Sequence, residues 1–205
     1  MRQIEDVRAL RGTVEIIARG AETLRVRKQD FAANPLSPGQ EVDLGAWIDR
    51  VSAAQFAAGY EAALSSLDYR AHTAREISAT LRRKGFLEPC VQAVVARLRE
   101  SGLIDDARYA ERMAEVHSRG PVGVYAFKRK LKSKGVSDED AEAALSAFDD
   151  EQQAQAARAA AEKLLRRYQA LPEREARAKL SQALARRGFG WDAIETALDG
   201  LLEEP

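Results

Sequence analysis

The sequence contains one cysteine and two histidines among its 205 residues, and these small numbers exclude several kinds of site. The single cysteine, Cys90, cannot form an intramolecular disulfide or a cysteine metal cluster. It lies within a helical pattern, which favours a small core residue over a reactive thiol. His72 and His117 lie in or near predicted loops, without an obvious nucleophile or set of metal ligands. We therefore expect both histidines to be exposed to solvent.

Long apolar runs are also missing from the sequence. No stretch approaches the roughly 20 apolar residues of a membrane-spanning helix, and the N-terminus carries no apolar signal region. The expectation is a cytoplasmic protein that makes no membrane contact. With 45% hydrophobic and 31% charged residues, the composition is typical of a soluble globular protein, and the length predicts one or two domains.

The short motifs of common catalytic sites are absent as well. The sequence has no glycine-rich phosphate loop after a strand, no HExxH and no GxSxG. Asp105 and Asp106 are adjacent carboxylates, but their place at the start of a predicted helix favours capping over catalysis. We therefore expect a protein that is not an enzyme and that uses no cofactor or metal.

One hexapeptide pattern recurs three times, at residues 81–86, 131–136 and 184–189. Each copy has a leucine, a basic end, a glycine and a further apolar residue. Cations in a last turn oppose the negative end of the helix dipole, and glycine adopts the left-handed conformation just past a helix end. Each copy is therefore predicted to end a helix, with positive φ at Gly85, Gly135 and Gly188.

Apolar residues also recur at matching distances from the three glycines. They stand eight and four residues before each glycine, and six, ten and thirteen residues after it. Three unrelated helix ends are the alternative, and they do not account for these matches. The pattern predicts tandem three-helix units, helix-turn-helix-like, each too small to bury its own apolar face. The predicted units are residues 52–104, 105–148 and 149–205.

Residues 1–51 differ from the repeats. Alternating and β-branched residues at 12–18 and 23–28, joined by a short turn, predict a β-hairpin. The inward-facing residues are expected to be Val14, Ile16, Leu24 and Val26. We expect no strand beyond residue 35, and a short helix capped by Asp43 and ending by Val51. The predicted fold is thus mainly α, with a small N-terminal β-hairpin region before the repeats.

Local signals also mark helix starts and core residues within the repeats. Thr73 and Glu76 have the spacing of a capping box, and Ser137 precedes an acidic first turn. Both tryptophans, Trp47 and Trp191, are expected to pack in the interior.

Positive charges are segregated along the chain although the formal net charge is zero. Five cations and no acid lie between Tyr125 and Gly135, and the equivalent helices of the other repeats also end in cations. The cations concerned are Arg82, Arg83, Lys84, Lys128, Arg129, Lys130, Lys132, Lys134, Arg186 and Arg187. If the repeats stack regularly, these ends form one basic stripe that binds phosphates. A solvated face with cations favoured by the helix dipole is the alternative.

Over about residues 52–202 the chain resembles the RecX family, regulators of the RecA recombinase. The resemblance is carried by residues 73–77 with 81–86, 102–110, 131–136, and 179–180 with 184–189. It departs from the family at Gly123-Val124, where a Gly-Pro pair is usual. It also departs at Lys130, where an acid is common, and at Ala183, where an aromatic residue is common.

The resemblance implies a curved, non-enzymatic protein that lodges in the groove of the RecA–DNA filament. It also implies a role in recombinational DNA repair and the SOS response, by restraint of ATP hydrolysis and strand exchange. The expected partners are the RecA filament and, more weakly and with salt dependence, single-stranded DNA. We expect a monomer. Two alternatives stay open, a DNA-binding module without a recombinase partner and a purely helical scaffold.

Overall fold

The computed structural model describes residues 1–118, 120 and 122–202. The chain forms two compact units, Met1–Asp105 and Asp106–Pro205. The first unit combines a small sheet with the first repeat, and the second unit contains the other two repeats. None of the helices in the described ranges is long and apolar enough to cross a membrane.

The first unit opens with a four-stranded antiparallel sheet in the order β3-β2-β1-β4. Its elements are β1 (Arg2–Ala9), β2 (Thr13–Ala18), β3 (Leu24–Arg27), α1 (Lys28–Ala33) and β4 (Glu41–Val42). The predicted hairpin is confirmed, since β2 pairs with β3 through Val14 opposite Val26 and Ile16 opposite Leu24. Of these four residues, only Leu24 is half-buried, and the others are buried.

The expectation that strands end by residue 35 is wrong, because β4 lies at Glu41–Val42. This strand pairs only with Arg2 and Gln3, and the segment is held by main-chain bonds between Ile4 and residues 39 and 40. Strand β1 was also not predicted. Its sequence is rich in charge, and a bulge between Ile4 and Asp6 interrupts its alternation.

The predicted short helix after Asp43 is also wrong in its end point. Asp43 does cap a helix, by accepting from the Ala46 N–H, but this helix, α2, runs unbroken over Leu44–Tyr69. Nothing in the sequence around Val51 stops it, and Val51 and Ser52 are both buried. Its first half packs on the sheet through Trp47, and its second half packs on the first repeat through Ala63. The sheet and the first repeat therefore share one helix.

The first repeat is completed by α3 (Ala74–Lys84) and α4 (Glu88–Glu100). The predicted capping box is present, because the Glu76 N–H donates to Thr73 Oγ1 and the Thr73 N–H donates to Glu76 Oε2. The core between these helices contains the predicted apolar positions Ile77, Leu81, Val91, Val95 and Leu98.

The second unit contains six helices in its described residues. They are α5 (Asp106–His117), α6 (Val124–Ser133), α7 (Asp138–Leu145), α8 (Asp150–Tyr168), α9 (Glu173–Arg186) and α10 (Trp191–Leu202). One core joins α5, α6 and α7 around Phe127 and Leu131, and another joins α8, α9 and α10 around Leu180 and Leu184. No strand follows Val51 in the described residues, as the sequence predicts.

Three side chains are placed differently from their predictions. His72 is only 12% exposed, because it lies against the capping box, with Nδ1 3.6 Å from Glu76 Oε2. His117 is half-buried, with its ring centroid 5.3 Å from that of Phe127. Trp191, which was expected in the interior, is 63% exposed, whereas Trp47 is buried as predicted.

Candidate nucleic-acid and filament interface

The three recurrent turns have the same backbone conformation and hydrogen bonds. Gly85, Gly135 and Gly188 have φ of +89°, +88° and +83°. The N–H groups of Phe86, Val136 and Phe189 donate to the carbonyls of Leu81, Leu131 and Leu184, over 3.2, 3.2 and 3.3 Å. This six-to-one bond defines the Schellman motif, which ends a helix and packs the apolar residue back onto it. The same turn therefore presents a basic helix end three times.

The Gly188 turn holds the basic end of α9 against the start of α6. The Tyr125 N–H donates to the Gly188 carbonyl over 2.9 Å, and a Cβ on Gly123 would lie 2.1 Å from the Gly188 carbonyl carbon. Because α6 has 10 residues, its own basic end lies about 15 Å from this contact. Within the second unit, the basic end of α9 therefore lies near the start of α6, whereas Lys130, Lys132 and Lys134 lie towards the other end of α6.

Two of the five α6 cations are paired with acids on α7. Lys128 Nζ contacts Glu142 Oε2, and Lys132 Nζ lies 2.7 Å from Asp138 Oδ1. The hydrogen bond that Lys128 donates to Glu142 raises the pKa of Lys128, and the one that Asp138 accepts from Lys132 lowers the pKa of Asp138. Sequence reasoning missed the pairing of these acids with α6 because they lie on the following helix. Alignment of the repeats supplies a signal, since Asp138 stands three residues after the turn glycine, as Glu88 does in the first repeat.

The other α6 cations have different surroundings. Lys130 Nζ lies 2.8 Å from His117 Nε2, and His117 Nδ1 lies 2.8 Å from the Met113 carbonyl. Since a carbonyl only accepts, Nδ1 carries the proton and Nε2 accepts from the Lys130 ammonium. Lys134 Nζ lies 6.0 Å from the Tyr109 ring centroid. Arg129 is exposed and forms no ion pair with any residue that the structure describes.

The basic ends of α3 and α9 are both exposed. Arg82 forms two hydrogen bonds of 2.7 Å to the carboxylate of Glu88, which raise the pKa of Arg82 and lower that of Glu88. Arg83 and Lys84 project into solvent beside it. On α9, Arg186 is exposed, and Arg187 lies 3.5 Å from the Ala160 carbonyl.

Every predicted cation is at least partly accessible. Only Lys128 and Lys134 are half-buried, and the other eight side chains are exposed. The cations of α6 and α9 belong to one compact unit, and those of α3 belong to the other. Their alignment into one stripe stays a prediction.

Three successive three-helix units, each with the same glycine turn, define a helical-repeat protein, and its described residues contain no group of side chains that could hold a metal ion. Family models for the first, second and third three-helix domains of RecX match residues 60–98, 105–145 and 150–198. The chain belongs to the RecX family.

Individual relatives agree with this assignment. The regulatory protein RecX of Limosilactobacillus reuteri (strain DSM 20016) is 33% identical over 174 residues, which span 83% of this chain and 65% of that protein. A crystal structure of regulatory protein RecX matches with a TM-score of 0.68 and 29% identity, over 97% of this chain and 100% of that one. The crystal structure of RecX from Lactobacillus salivarius matches with a TM-score of 0.66 and 32% identity, over 73% and 97%.

Proposed function

We propose that the protein regulates recombinational DNA repair by binding the RecA–DNA filament and inhibiting its ATPase and strand exchange, without catalysing a reaction itself. Membership of a family of regulatory proteins supports this role. The observation that carries the proposal is the repetition of an exposed basic helix end in a chain with no net charge. Such a protein acts in the cytoplasm, where the filament forms.

Electrostatics favours a mixed surface over bare DNA. A net charge of zero gives little long-range attraction to a polyanion at physiological salt. Of the α6 lysines, Lys128 and Lys132 already have carboxylate partners, which a phosphate must displace. A filament groove offers protein and phosphate together, so several weak contacts made at once raise the affinity.

The proposed binding units are the repeats at residues 52–104, 105–148 and 149–205, each of which contributes one basic helix end. Linked contacts reinforce each other through a high effective concentration. Removal of residues 149–205 should therefore reduce inhibition by more than a third. The N-terminal region, 1–51, is proposed to support the first repeat, because α2 is common to both.

The test is a RecA strand-exchange assay with competitor single-stranded DNA that carries no RecA. We expect inhibition to persist when competitor is in excess, because the filament is the preferred partner. Inhibition that falls in proportion to the competitor would replace this proposal with the second candidate, a DNA-binding module without a recombinase partner. Exposed Arg129 and Arg186 are the observations that favour that second candidate.

A further inference from the structure

The third repeat lacks an ion pair that bridges the turn in the other two. Residues three before and three after the turn glycine form the pairs Arg82–Glu88 and Lys132–Asp138, both at 2.7 Å. The corresponding residues of the third repeat are Ala185 and Trp191. An alanine and an indole cannot form such a bridge, so the surface beside this turn is open.

A groove of about 460 Å³ occupies this position. Trp191 forms one side of it, and the exposed face of α9 forms the other, through Ala178, Ser181 and Ala185 among others. These small side chains leave room beside the indole, which is 63% exposed. A large apolar ring that is in contact with water and lines a groove is a feature of binding sites.

A second exposed aromatic ring lies close to Gly190, the residue before Trp191. Tyr125 is 53% exposed, and its Cε2 would lie 3.5 Å from a Cβ built on Gly190, the residue before Trp191. The Tyr125 N–H donates to the Gly188 carbonyl, so the turn that precedes Trp191 also contacts the backbone of Tyr125.

The charge of the groove is positive. Arg174 and Arg177 line it, and none of its described lining residues is acidic. Arg177 also contacts Asp199 on α10, whereas Arg174 is exposed and forms no ion pair with a described residue. Exposed aromatic faces beside cations are the combination that binds single-stranded nucleic acid, since bases stack on the rings and phosphates contact the cations.

We infer that this groove binds single-stranded nucleic acid, with a base stacked on Trp191 and a neighbouring phosphate near Arg174. The inference rests on the proposed function only because it takes single-stranded DNA as a ligand. It assigns a base-stacking site to the third repeat, and this site is separate from the five cations of α6. An apolar peptide suits the groove less well, because it would leave the charges of Arg174 and Arg177 without an anionic partner from the ligand. Stacking is tolerant of sequence, so the site selects single strands and not a particular base.

Tryptophan fluorescence tests this site directly, because Trp47 is 1% exposed and Trp191 is not. The probes are an oligothymidylate of about 20 nucleotides, longer than a typical single-strand site, and an abasic strand of equal length with the same phosphates. We expect the oligothymidylate to quench Trp191 fluorescence and the abasic strand to leave it almost unchanged. Trp191→Ala should weaken oligothymidylate binding roughly tenfold. The slope of log affinity against log salt concentration should be the same for Trp191→Ala as for the wild type, because an indole releases no counterions.

Trp191→Phe is the matched variant, and it should keep most of the affinity because a phenyl ring still stacks. Thermal melting by circular dichroism should show both variants folded, since the indole is exposed. Equal quenching and binding by the abasic strand would overturn the inference, as would wild-type affinity in Trp191→Ala. Loss of RecA inhibition with unchanged strand affinity would overturn it too, in favour of a protein-docking surface. The quenching and strand-affinity measurements contain no RecA, so failure here is distinguishable from failure of the proposed function.

Discussion

The turns at Gly85 and Gly188 share their backbone hydrogen bonds but are held in place by different chemistry. At both turns the glycine carbonyl accepts an N–H from the start of another helix. Arg27, just before α1, donates to Gly85 over 3.2 Å, and Tyr125 in α6 donates to Gly188 over 2.9 Å. The two carbonyls differ in their other contacts. The Gly85 carbonyl lies among polar side chains, whereas the Gly188 carbonyl packs mainly against backbone.

Around Gly85 the contacts are made by polar side chains. Gln55, fully buried, donates to the Gly85 carbonyl over 3.2 Å and to Asp30 over 2.6 Å, and it accepts from the Leu87 N–H over 2.8 Å. Arg27 binds both carboxylate oxygens of Asp30, and its guanidinium lies 4.2 Å from the centroid of the Phe86 ring. This network fixes the sheet against the first repeat.

Around Gly188 the contacts are made mainly by backbone. A Cβ on Gly188 would lie 2.2 Å from the Ala126 nitrogen, and one on Gly123 would lie 2.1 Å from the Gly188 carbonyl carbon. Gln153 adds one bond of 3.1 Å from the Val124 N–H and a weaker one to the Val122 carbonyl. The turn at Gly85 is thus held by hydrogen bonds from polar side chains. The turn at Gly188 is held by close backbone packing, which is possible because Gly123 and Gly188 have no side chains.

The largest expected effect is that of Gly188→Ala. A left-handed φ costs a residue with a Cβ about 1–2 kcal/mol. Overpacking against backbone adds about 1–3 kcal/mol. The free energy of unfolding, measured in urea, should therefore fall by about 3 kcal/mol or more. Gly85→Ala should cost less, because its Cβ would first meet the Thr13 methyl at 2.8 Å and the Arg27 nitrogen at 2.9 Å.

Two alanine variants separate the causes of this loss. Gly102 has φ of +67°, and apart from its chain neighbours no atom of a described residue lies within 4 Å of a built Cβ, so Gly102→Ala carries the backbone cost alone. Gly123→Ala carries the steric cost alone, since its φ of −68° suits any residue. Equal losses in Gly188→Ala and Gly102→Ala would mean that the close backbone contact adds nothing.

Replacement of the buried glutamines tests the other side of the comparison. Gln55→Ala leaves the Leu87 N–H without its partner and removes a bond to Gly85, which should lower the free energy of unfolding by about 2–3 kcal/mol. Gln153→Ala removes one good bond and should lower it by about 1 kcal/mol. Exposed Gln155→Ala is the control and should change little. A larger loss at Gln153 than at Gln55 would contradict the contrast between the turns.

The sequence predicts features that depend on neighbouring residues and misses those that depend on distant ones. The turns at Gly85, Gly135 and Gly188 were predictable because a helix end is determined within one hexapeptide. Strand β4 was not, because two residues gain their conformation only from pairing with β1. The continuity of α2 through Val51 depends on burial against two different partners.

The candidate interface shows the same division. Its cations were visible in the sequence as helix ends, and the structure finds them accessible. The pairing of Lys128 and Lys132 with Glu142 and Asp138 was not visible in the sequence, since both acids lie on a separate helix that folds back on α6. The exposure of Trp191 was missed because an apolar residue near a helix start is ordinarily buried.

The α7 acids should weaken DNA binding by occupying α6 lysines. If Lys128 and Lys132 stay paired, three α6 cations contact phosphates and the log–log salt slope is about −2, against about −3.5 for five. Glu142→Gln should therefore steepen the slope by about 0.7 and raise the affinity for single-stranded DNA. Glu139→Gln is the matched control, because Glu139 lies on the same helix and forms no ion pair with a described residue. Identical slopes in the two variants would show that only net charge matters.

The smallest expected effect concerns the ion pair that bridges the Gly85 turn and has no counterpart at Gly188. The hydrogen bond from Arg82 lowers the pKa of Glu88 from its usual 4.5. A carboxyl whose pKa is lower in the folded state stabilises the fold above its unfolded pKa, and this stabilisation is lost as the pH falls through the folded pKa. Glu88→Gln should therefore lower the melting temperature slightly at pH 7, and the difference from the wild type should shrink as the pH falls below 4.5 and through the folded pKa of Glu88. Because the Glu88 side chain is 46% exposed, we expect the difference at pH 7 to correspond to less than about 1 kcal/mol. Asp192→Asn is the control, because Asp192 is an exposed acid of the third repeat and forms no ion pair with a described residue. A difference for Glu88→Gln that persists unchanged at pH 3 would mean that the glutamine acts through packing and not through the lost charge.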